Sequence, residues 1–506
     1  MSCHTRLGDF EFSASDVEAA TRGGRLLSME IEFSLKCNFD CPYCYVQGRP
    51  SANQKEMTPD EARDVIRQAR ELGAQKIIVL GGEPMIYPRI LDMLEYIRGL
   101  GMNVEVFTNG TNITDETAQR LADLGVRVVL KMNSFDKRIQ DELAGRKGAY
   151  ESIQSALASL RKAGYPSKKL VLAVSTVICK QNLHEIVPLW KWLRDQDISP
   201  YFEVVTPQGP NGEASALRVE SQESLRVFRE LAEVDRAYGH EWDPQPPLVG
   251  NRCLRHQFSC LVNSCGYVMP CVGVPVAVGN IRERPLADII RDSEVIQDLR
   301  NYRKTIKGPC ADCEKLEECY GCRGSAYHVT GDYLASDPLC WRNVGREHKI
   351  DRLPMPVGDL IPQRPPMRVV DRLVEIGERS GVIELAIAAD TPFIGENGEL
   401  DEAAYMEIMA QSIAALNGFN QRRNGGSKPE GFLLGARHVE ILGAARVGDR
   451  LSVNVFKYAR FGDFGLVQGT ITKGQDVIAR GEIKVWHKGD GASSVPEPAA
   501  AAQERK

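Results

Sequence analysis

The 506 residues exceed what one ordinary hydrophobic core supports and divide into two to four domains. Hydrophobic and charged contents of 43% and 26% belong to a folded globular protein, and a net charge of −5 excludes a strongly basic surface for nucleic acid or anionic membrane. No apolar run approaches the roughly 18 residues of a membrane span, and Met1 to Phe12 lacks a basic stretch followed by an apolar one, so the expected compartment is the cytoplasm.

Residues 28–34 alternate apolar and polar side chains and predict a strand that runs into a cysteine loop. Thr58-Pro59-Asp60-Glu61 has the form of a helix start, with Thr58 as N-cap, Pro59 in the first turn and Glu61 closing a capping box. Ala62, Val65, Ile66, Ala69 and Leu72 keep helical spacing until Gly73, and a strand follows at 76–80. The rhythm repeats: strand 103–108, helix near 114–124, strand 126–132, helix 149–163, strand 170–178, helix 183–195, strand 201–205. Such alternation predicts βα units around parallel strands, about six by residue 206. Periodicity alone does not choose between a partial (β/α)6 barrel and an open two-faced sheet.

Residues 206–250 form a bridge with an amphipathic helix near 221–237. Residues 251–345 carry nine cysteines and little periodicity, as expected where metal replaces a core. A linker at 353–358 precedes residues 361–488, which have no cysteine, several alternating strands and one central helix, an α+β pattern. The tail 489–506, rich in Ala, Ser, Pro and Glu, is expected to be disordered.

Of fourteen cysteines, twelve fall in two groups at metal-ligand spacing, and only Cys3 and Cys179 stand alone. Nothing directs export, so metal is expected rather than disulfides. Cys179, beside the apolar run 174–178, fits a small buried hydrophobe. Cys37, Cys41 and Cys44 give C-x3-C-x2-C, three thiolates where a four-iron cluster has four corners, which leaves one iron for another ligand. The alternative is zinc, which takes four ligands from paired C-x2-C units.

This loop resembles that of radical S-adenosylmethionine (SAM) enzymes, in which the open iron chelates the amino and carboxylate groups of SAM and one electron cleaves it to a 5′-deoxyadenosyl radical. The resemblance decides for the partial barrel, with chemistry at the carboxyl ends of its strands. Gly81-Gly82-Glu83-Pro84 matches the family's GGEP motif, which implies that its carbonyls and carboxylate receive the amino group of SAM. Thr108-Asn109-Gly110 matches a frequent family element or is a plain turn. Many peptide-modifying relatives carry Ser-x-Asp-Gly where this chain has Lys131-Met132-Asn133-Ser134. Lys131 and Arg146 are candidates to face the SAM carboxylate, against the alternative of solvated surface charges. Tyr43 is placed by the resemblance near the adenine.

The second cysteine group resembles the SPASM extension of these enzymes, which holds two auxiliary four-iron clusters. The family assignment, carried over, gives one cluster to Cys253, Cys260, Cys271 and Cys322 and the other to Cys310, Cys313, Cys319 and Cys340, making three [4Fe–4S] clusters with the first. Here the interval between Cys319 and Cys322 is two residues where the family has three, and Cys265 is left as a spare or alternative ligand. Zinc ribbons are the alternative for the C-x2-C pairs. Sulfatase-maturing relatives place an aspartate base after the G-x4-C cysteine; this chain has Val272, so that oxidation lacks its proton acceptor.

Ile361 to Met367 opens a segment that resembles the hot-dog fold of 3-hydroxyacyl-carrier-protein dehydratases, with Asp371-Arg372 ending the opening motif and Glu407-Ile408-Met409-Ala410-Gln411 matching E-x-x-A-Q. The resemblance makes Glu407 a candidate catalytic acid. The expected His-Phe-Pro-Gly loop is replaced by Thr391-Pro392-Phe393-Ile394, and His438 and His487 lie elsewhere, so the expected role is acyl or carrier binding, or dimerisation.

The domain expectation is 26–235 for the barrel, 236–350 for the cysteine-rich region and 361–488 for the hot-dog domain. The functional expectation is a radical SAM oxidoreductase that abstracts hydrogen from a substrate linked to an acyl-carrier protein, or else a peptide or protein maturase. Either needs an electron donor such as ferredoxin or flavodoxin. The rival from another class is a metal-bearing acyl-binding scaffold without SAM turnover. No nucleic acid or membrane span is expected.

Overall fold

The computed structural model describes residues 12–46, 55–208, 214–377, 379–423 and 431–487; the expected disordered tail lies outside them. The chain forms two compact units, one ending at Asp351 and the other starting at Arg352, so the regions expected at 26–235 and 236–350 share one unit.

In the first unit, β1 (Ser28–Glu32), β2 (Lys76–Leu80), β3 (Asn103–Thr108), β4 (Arg127–Lys131), β5 (Leu172–Ile178) and β6 (Ser199–Val204) lie side by side in chain order, all parallel. The helices are α1 (Ala14–Arg22), α2 (Pro59–Glu71), α3 (Ile90–Gly99), α4 (Asp115–Asp123), α5 (Lys137–Ala144), α6 (Ala149–Lys162), α7 (Ile186–Asp195), α8 (Ala214–Leu217) and α9 (Ser221–Ala237). α2 starts as its sequence dictates: Glu61 N–H donates to Thr58 Oγ1 at 3.2 Å, and Thr58 N–H donates to the Glu61 carboxylate at 2.7 Å.

Parallel strands are usually apolar on both faces. Here the pleat separates two chemistries. Met29, Ile31, Ile77, Val79, Val128 and Val174 point outward into the apolar core shared with the helices. Glu30, Lys76, Glu105, Arg127, Lys131 and Tyr201 point inward and line a cavity. The inner face carries charged groups because it meets a space rather than a packed layer, and Ile78, Phe107 and Val129 line the same cavity.

The sheet continues past β1. β7 (Leu261–Val262) pairs parallel with β1, and β8 (Tyr267–Met269) and β9 (Gly279–Asn280) follow antiparallel. The cysteine-rich region is therefore sewn to the barrel through a sheet that sequence periodicity did not show. α10 (Leu286–Asp292), α11 (Glu294–Arg300), α12 (Tyr302–Thr305) and α13 (Arg323–Thr330) complete it. Asp235 on α9 is fully buried and ties the region behind β6 together. It accepts from Trp190 Nε1 at 2.7 Å, Trp242 Nε1 at 2.8 Å and both the Nε (2.8 Å) and Nη2 (2.7 Å) of Arg194.

The second unit is a seven-stranded antiparallel sheet around one helix. Its elements are β10 (Met355–Pro356), β11 (Arg372–Ile376), β12 (Ser380–Ala386), α14 (Glu402–Arg423), β13 (Gly431–Ile441), β14 (Arg450–Phe461), β15 (Phe464–Lys473) and β16 (Asp476–His487), in sheet order β10-β11-β12-β14-β15-β16-β13. Ile408, Met409 and Ile413 of α14 share a core with Val453, Ile471 and Ile483 of the sheet. The long helix wrapped by an antiparallel sheet is the expected hot-dog arrangement. Among the described residues, no helix is long and apolar enough to cross a membrane.

Candidate cofactor and iron–sulfur site

The loop after β1 is seated by three glycines. A β-carbon on Gly81 would lie 2.5 Å from the Ser34 carbonyl oxygen, one on Gly82 2.0 Å from that of Lys36, and one on Gly145 2.0 Å from that of Asp40. Gly81 and Gly145 also hold φ of +123° and +59°, in the region that favours glycine. Backbone bonds fix the contact: Gly82 N–H donates to Ser34 O at 3.0 Å, Glu83 N–H to Lys36 O at 2.8 Å and Asp40 N–H to Ala144 O at 3.0 Å. Tyr45 staples the loop's exit to the same turn, since Gly81 N–H donates to Tyr45 Oη at 3.2 Å and the tyrosine hydroxyl donates to Gly81 O at 3.4 Å.

The result is that Cys37, Cys41 and Cys44 line the cavity together with Tyr43, Gly81, Gly82, Glu83 and Lys131. Its volume is about 1950 Å³. Burial pushes the Cys41 thiol up to about 12, and the neighbouring Cys44 adds to it. Burial likewise raises Cys37, against a hydrogen bond from Phe39 N–H and with Glu83 and Cys44 adding. Burial, with neighbouring thiols adding, disfavours ionisation of Cys37 and Cys41, and a bound cationic centre would favour their thiolates, which is the donor chemistry of an iron–sulfur loop.

Glu83 differs from expectation. Its buried carboxylate accepts from Thr108 Oγ1 at 2.6 Å, Asn109 N–H at 2.6 Å and Met85 N–H at 2.8 Å, so it braces the end of β3. Burial nevertheless lifts it to about 7 against those three hydrogen bonds. Asn109 reaches on to Asn38 Oδ1 at 3.0 Å, which makes Thr108-Asn109-Gly110 part of the loop's support. Tyr43 accepts from Asn133 Nδ2 at 2.6 Å, and the Lys131 ammonium lies 5.2 Å from its ring centroid. Lys131 also donates to Ser175 Oγ at 3.3 Å; burial lowers its pKa, and Glu203 opposes the shift.

Arg146 and Pro84 are not among the cavity-lining residues. Arg146 is exposed, donates to Asn38 O at 2.6 Å and lies over the Phe39 ring at 5.6 Å, so it clamps the loop from outside. Pro84 is buried at the start of a short 3-10 turn. Sequence reasoning missed Tyr45, Asn38 and Asn133; Tyr45 lies one residue past the motif, and the two asparagines have no spacing signal.

Residues 31–193 match the family model of the radical SAM superfamily, and residues 253–314 that of the SPASM iron-sulfur cluster-binding domain. The chain carries a radical SAM domain followed by a SPASM domain. Residues 355–495 match the ApeP dehydratase model, so the second unit is an ApeP-like hot-dog domain. The AdoMet-dependent heme synthase of Methanosarcina barkeri is 29% identical over 361 residues, covering 65% of this chain and 99% of that protein. The Fe-coproporphyrin III synthase of the same organism is 27% identical over 347 residues, covering 60% and 85%. SuiB of Streptococcus suis bound to S-adenosylmethionine shares the fold, with 19% identity, a TM-score of 0.51 and coverage of 65% of this chain and 81% of that one.

Seven of the nine cysteines after residue 250 divide between two cavities. Cys310, Cys313, Cys319 and Cys340 line one small cavity of about 20 Å³. Burial lifts Cys319 to about 11, with Cys310 adding, and raises Cys340, with Asp337, Cys310 and Cys319 adding. Cys253, Cys271 and Cys322 line the large cavity that also holds the Cys37 loop. Gly273 and Gly324 touch, since a β-carbon on Gly273 would lie 2.9 Å from Gly324 Cα, and this brings the Cys271 turn against the start of α13. Asp337 joins the two groups by accepting from Cys322 N–H at 2.8 Å, Ser325 Oγ at 2.9 Å and Leu339 N–H at 3.0 Å.

Cys260 and Cys265 line neither cavity. Cys260 sits in the apolar core behind the sheet. Cys265 lies in the β7–β8 turn, where its carbonyl accepts from Arg282 Nη1 at 3.1 Å. Among the described residues, no three His, Cys, Asp or Glu side chains close on a single-ion point. Val272 lines the large cavity.

In the hot-dog domain, Glu407 Oε1 accepts from Gln411 Nε2 at 2.7 Å. Gln411 also donates to Met367 O at 2.7 Å and accepts from Val369 N–H at 2.9 Å, which ties the opening motif to the helix. His438 pairs with Glu440 at 2.8 Å, on exposed β13, and does not complete a dyad with Glu407. The His487 side chain lies outside the described residues.

Proposed function

We propose that the chain oxidises a large substrate in the barrel cavity by hydrogen abstraction, with the electron released passing to auxiliary clusters. The observation that carries this is that Cys37, Cys41, Cys44 and Cys253, Cys271, Cys322 line one cavity of about 1950 Å³. Cys37, Cys41 and Cys44 would hold a [4Fe–4S] cluster, which would supply the electron for reductive cleavage of SAM. The backbone of Gly81 and Gly82 would receive the methionine part, Lys131 its carboxylate and Tyr43 the adenine, while Arg146 and Glu83 hold the loop in place. Cys310, Cys313, Cys319 and Cys340 would hold the outer auxiliary cluster and pass the electron on to an acceptor, with ferredoxin or flavodoxin as the donor to the first cluster.

The cavity is about twice the upper end of the usual 300–1,000 Å³ range for ligand pockets, which leaves room for a substrate beside SAM. The inner wall carries both signs of charge, with Arg255 bonded to Glu30 at 2.6 Å and Arg127 to Glu105 at 3.2 Å. The relatives named for heme synthesis make an iron porphyrin the first substrate to test. The ApeP-like domain on the same chain favours a second reading, an acyl group on a carrier protein. Anaerobic turnover with iron coproporphyrin III, acyl-carrier thioesters and a peptide panel, each in deuterated form, separates them. The substrate passes deuterium into 5′-deoxyadenosine; transfer from none of the three classes contradicts these substrate readings.

The hot-dog domain is proposed to be non-catalytic and to pair two chains. β13 is an edge strand whose residues 431–438 are all exposed, with Phe432 at 67% and Leu434 at 50%, and soluble proteins do not leave such an edge uncovered.

A further inference from the structure

Resemblance assigns Cys260 as the fourth ligand beside Cys253, Cys271 and Cys322, but its place in the sheet opposes this. β7 runs parallel to β1 in the register Glu30↔Leu261 and Ile31↔Val262. Paired residues of neighbouring strands share a face, and successive residues alternate. Leu261 therefore shares the inner face with Glu30, while Val262 and Cys260 share the outer face with Ile31 and Met29. Cys260 is buried in that outer apolar core, 1% exposed, together with Met29, Ile31 and Val262. A one-residue slip of β7 would be needed to turn it inward, and that would also turn Val262 out of the core.

The lining of the large cavity offers another donor. His256 is 3% exposed, lines the large cavity with the three cysteines, and has no hydrogen-bond partner at its buried Nε2. Its other ring nitrogen, Nδ1, lies 3.0 Å from Tyr320 Oη. A metal-binding histidine characteristically has one nitrogen held by a second group, which fixes the ring, and the other left bare toward the metal. Cys253 stands two residues before the 3-10 turn Arg255–Gln257 that carries His256, so the two are close in sequence. An orphaned buried ring nitrogen is otherwise costly.

We propose that His256 Nε2 is the fourth protein ligand of the inner auxiliary cluster, with Cys253, Cys271 and Cys322, and that Cys260 is a core residue. This rests on the reading that the SPASM array holds clusters. Three thiolates and an imidazole leave the cluster one negative charge lower than four thiolates would, which suits an electron acceptor beside the substrate.

The test uses the full chain with Cys37→Ala, Cys41→Ala and Cys44→Ala, so that only the auxiliary clusters remain, about eight irons per chain. The protein is grown with 15N-histidine or 14N-histidine, reduced with dithionite and read by pulsed EPR. The expected result is a ligand-sized nitrogen coupling that changes isotope with the label and disappears in His256→Cys, which keeps about eight irons. Cys260→Ala keeps both the irons and the coupling. Should Cys260→Ala fail to fold, the isotope experiment on the chain with Cys260 intact decides alone. No histidine coupling with the irons in place, a coupling that survives His256→Cys, or loss of about four irons in a folded Cys260→Ala overturns the assignment. Protein without iron overturns the cluster reading as well.

Discussion

The carbonyl oxygen of Asp40 lies 2.0 Å from where a β-carbon on Gly145 would stand, so the middle of the cysteine loop rests on the turn that ends α5. Gly145 also has φ of +59°, where an alanine costs about 1–2 kcal/mol before any clash. Gly145→Ala is expected to push the loop off its seat. The measurable outcome is at least a tenfold fall in SAM cleavage, with the auxiliary irons retained. Unchanged cleavage would show that the loop does not depend on this contact.

Glu83 makes stability depend on pH in a defined direction. Its folded value of about 7 stands above the reference of 4.5, mainly because of burial. Between these values the folded chain holds a proton that the unfolded chain has lost. The stabilisation is full below about pH 4.5 and is lost as pH rises through 7, by at most about 3 kcal/mol. Thermal unfolding at pH 5.5 and pH 8 should show wild type losing more stability across this interval than Glu83→Gln. Parallel losses in the two proteins would mean that Glu83 does not titrate there.

Asp235 is a buried carboxylate that satisfies three side chains from two different segments. Asp235→Ala leaves Arg194 charged and unpaired and strands two indole N–H groups. Denaturant unfolding should show a loss of about 3–5 kcal/mol. A loss below about 1 kcal/mol would indicate that water replaces the carboxylate.

The barrel was legible where local chemistry decides it. The Thr58–Glu61 capping box and the strands at 76–80 and 103–108 fall where the sequence placed them, because caps and alternation act over a few residues. α5 was not foreseen, since its eight residues carry too few apolar repeats. β7 was not foreseen either: two residues have no periodicity, and their partner is 231 positions away. That hidden register sets which way Cys260 faces, and cysteine spacing carries no record of it. Arg146 shows the same limit, since a cation near the motif reads equally well as a ligand contact or a clamp.

Among the described residues no strand pairs with the outer edge of β13, and this carries a prediction about assembly. Phe432→Asp and Leu434→Asp together should convert a dimer of the full chain to monomer by light scattering, with secondary structure unchanged. A monomeric wild-type chain would contradict the pairing role proposed for this strand.

Cys37, Cys41 and Cys44 are proposed to act together on SAM. Anaerobically purified protein, incubated with SAM and dithionite, is predicted to release 5′-deoxyadenosine, and the variant with all three cysteines changed to alanine to release none. Continued release by a folded triple variant would contradict the central claim.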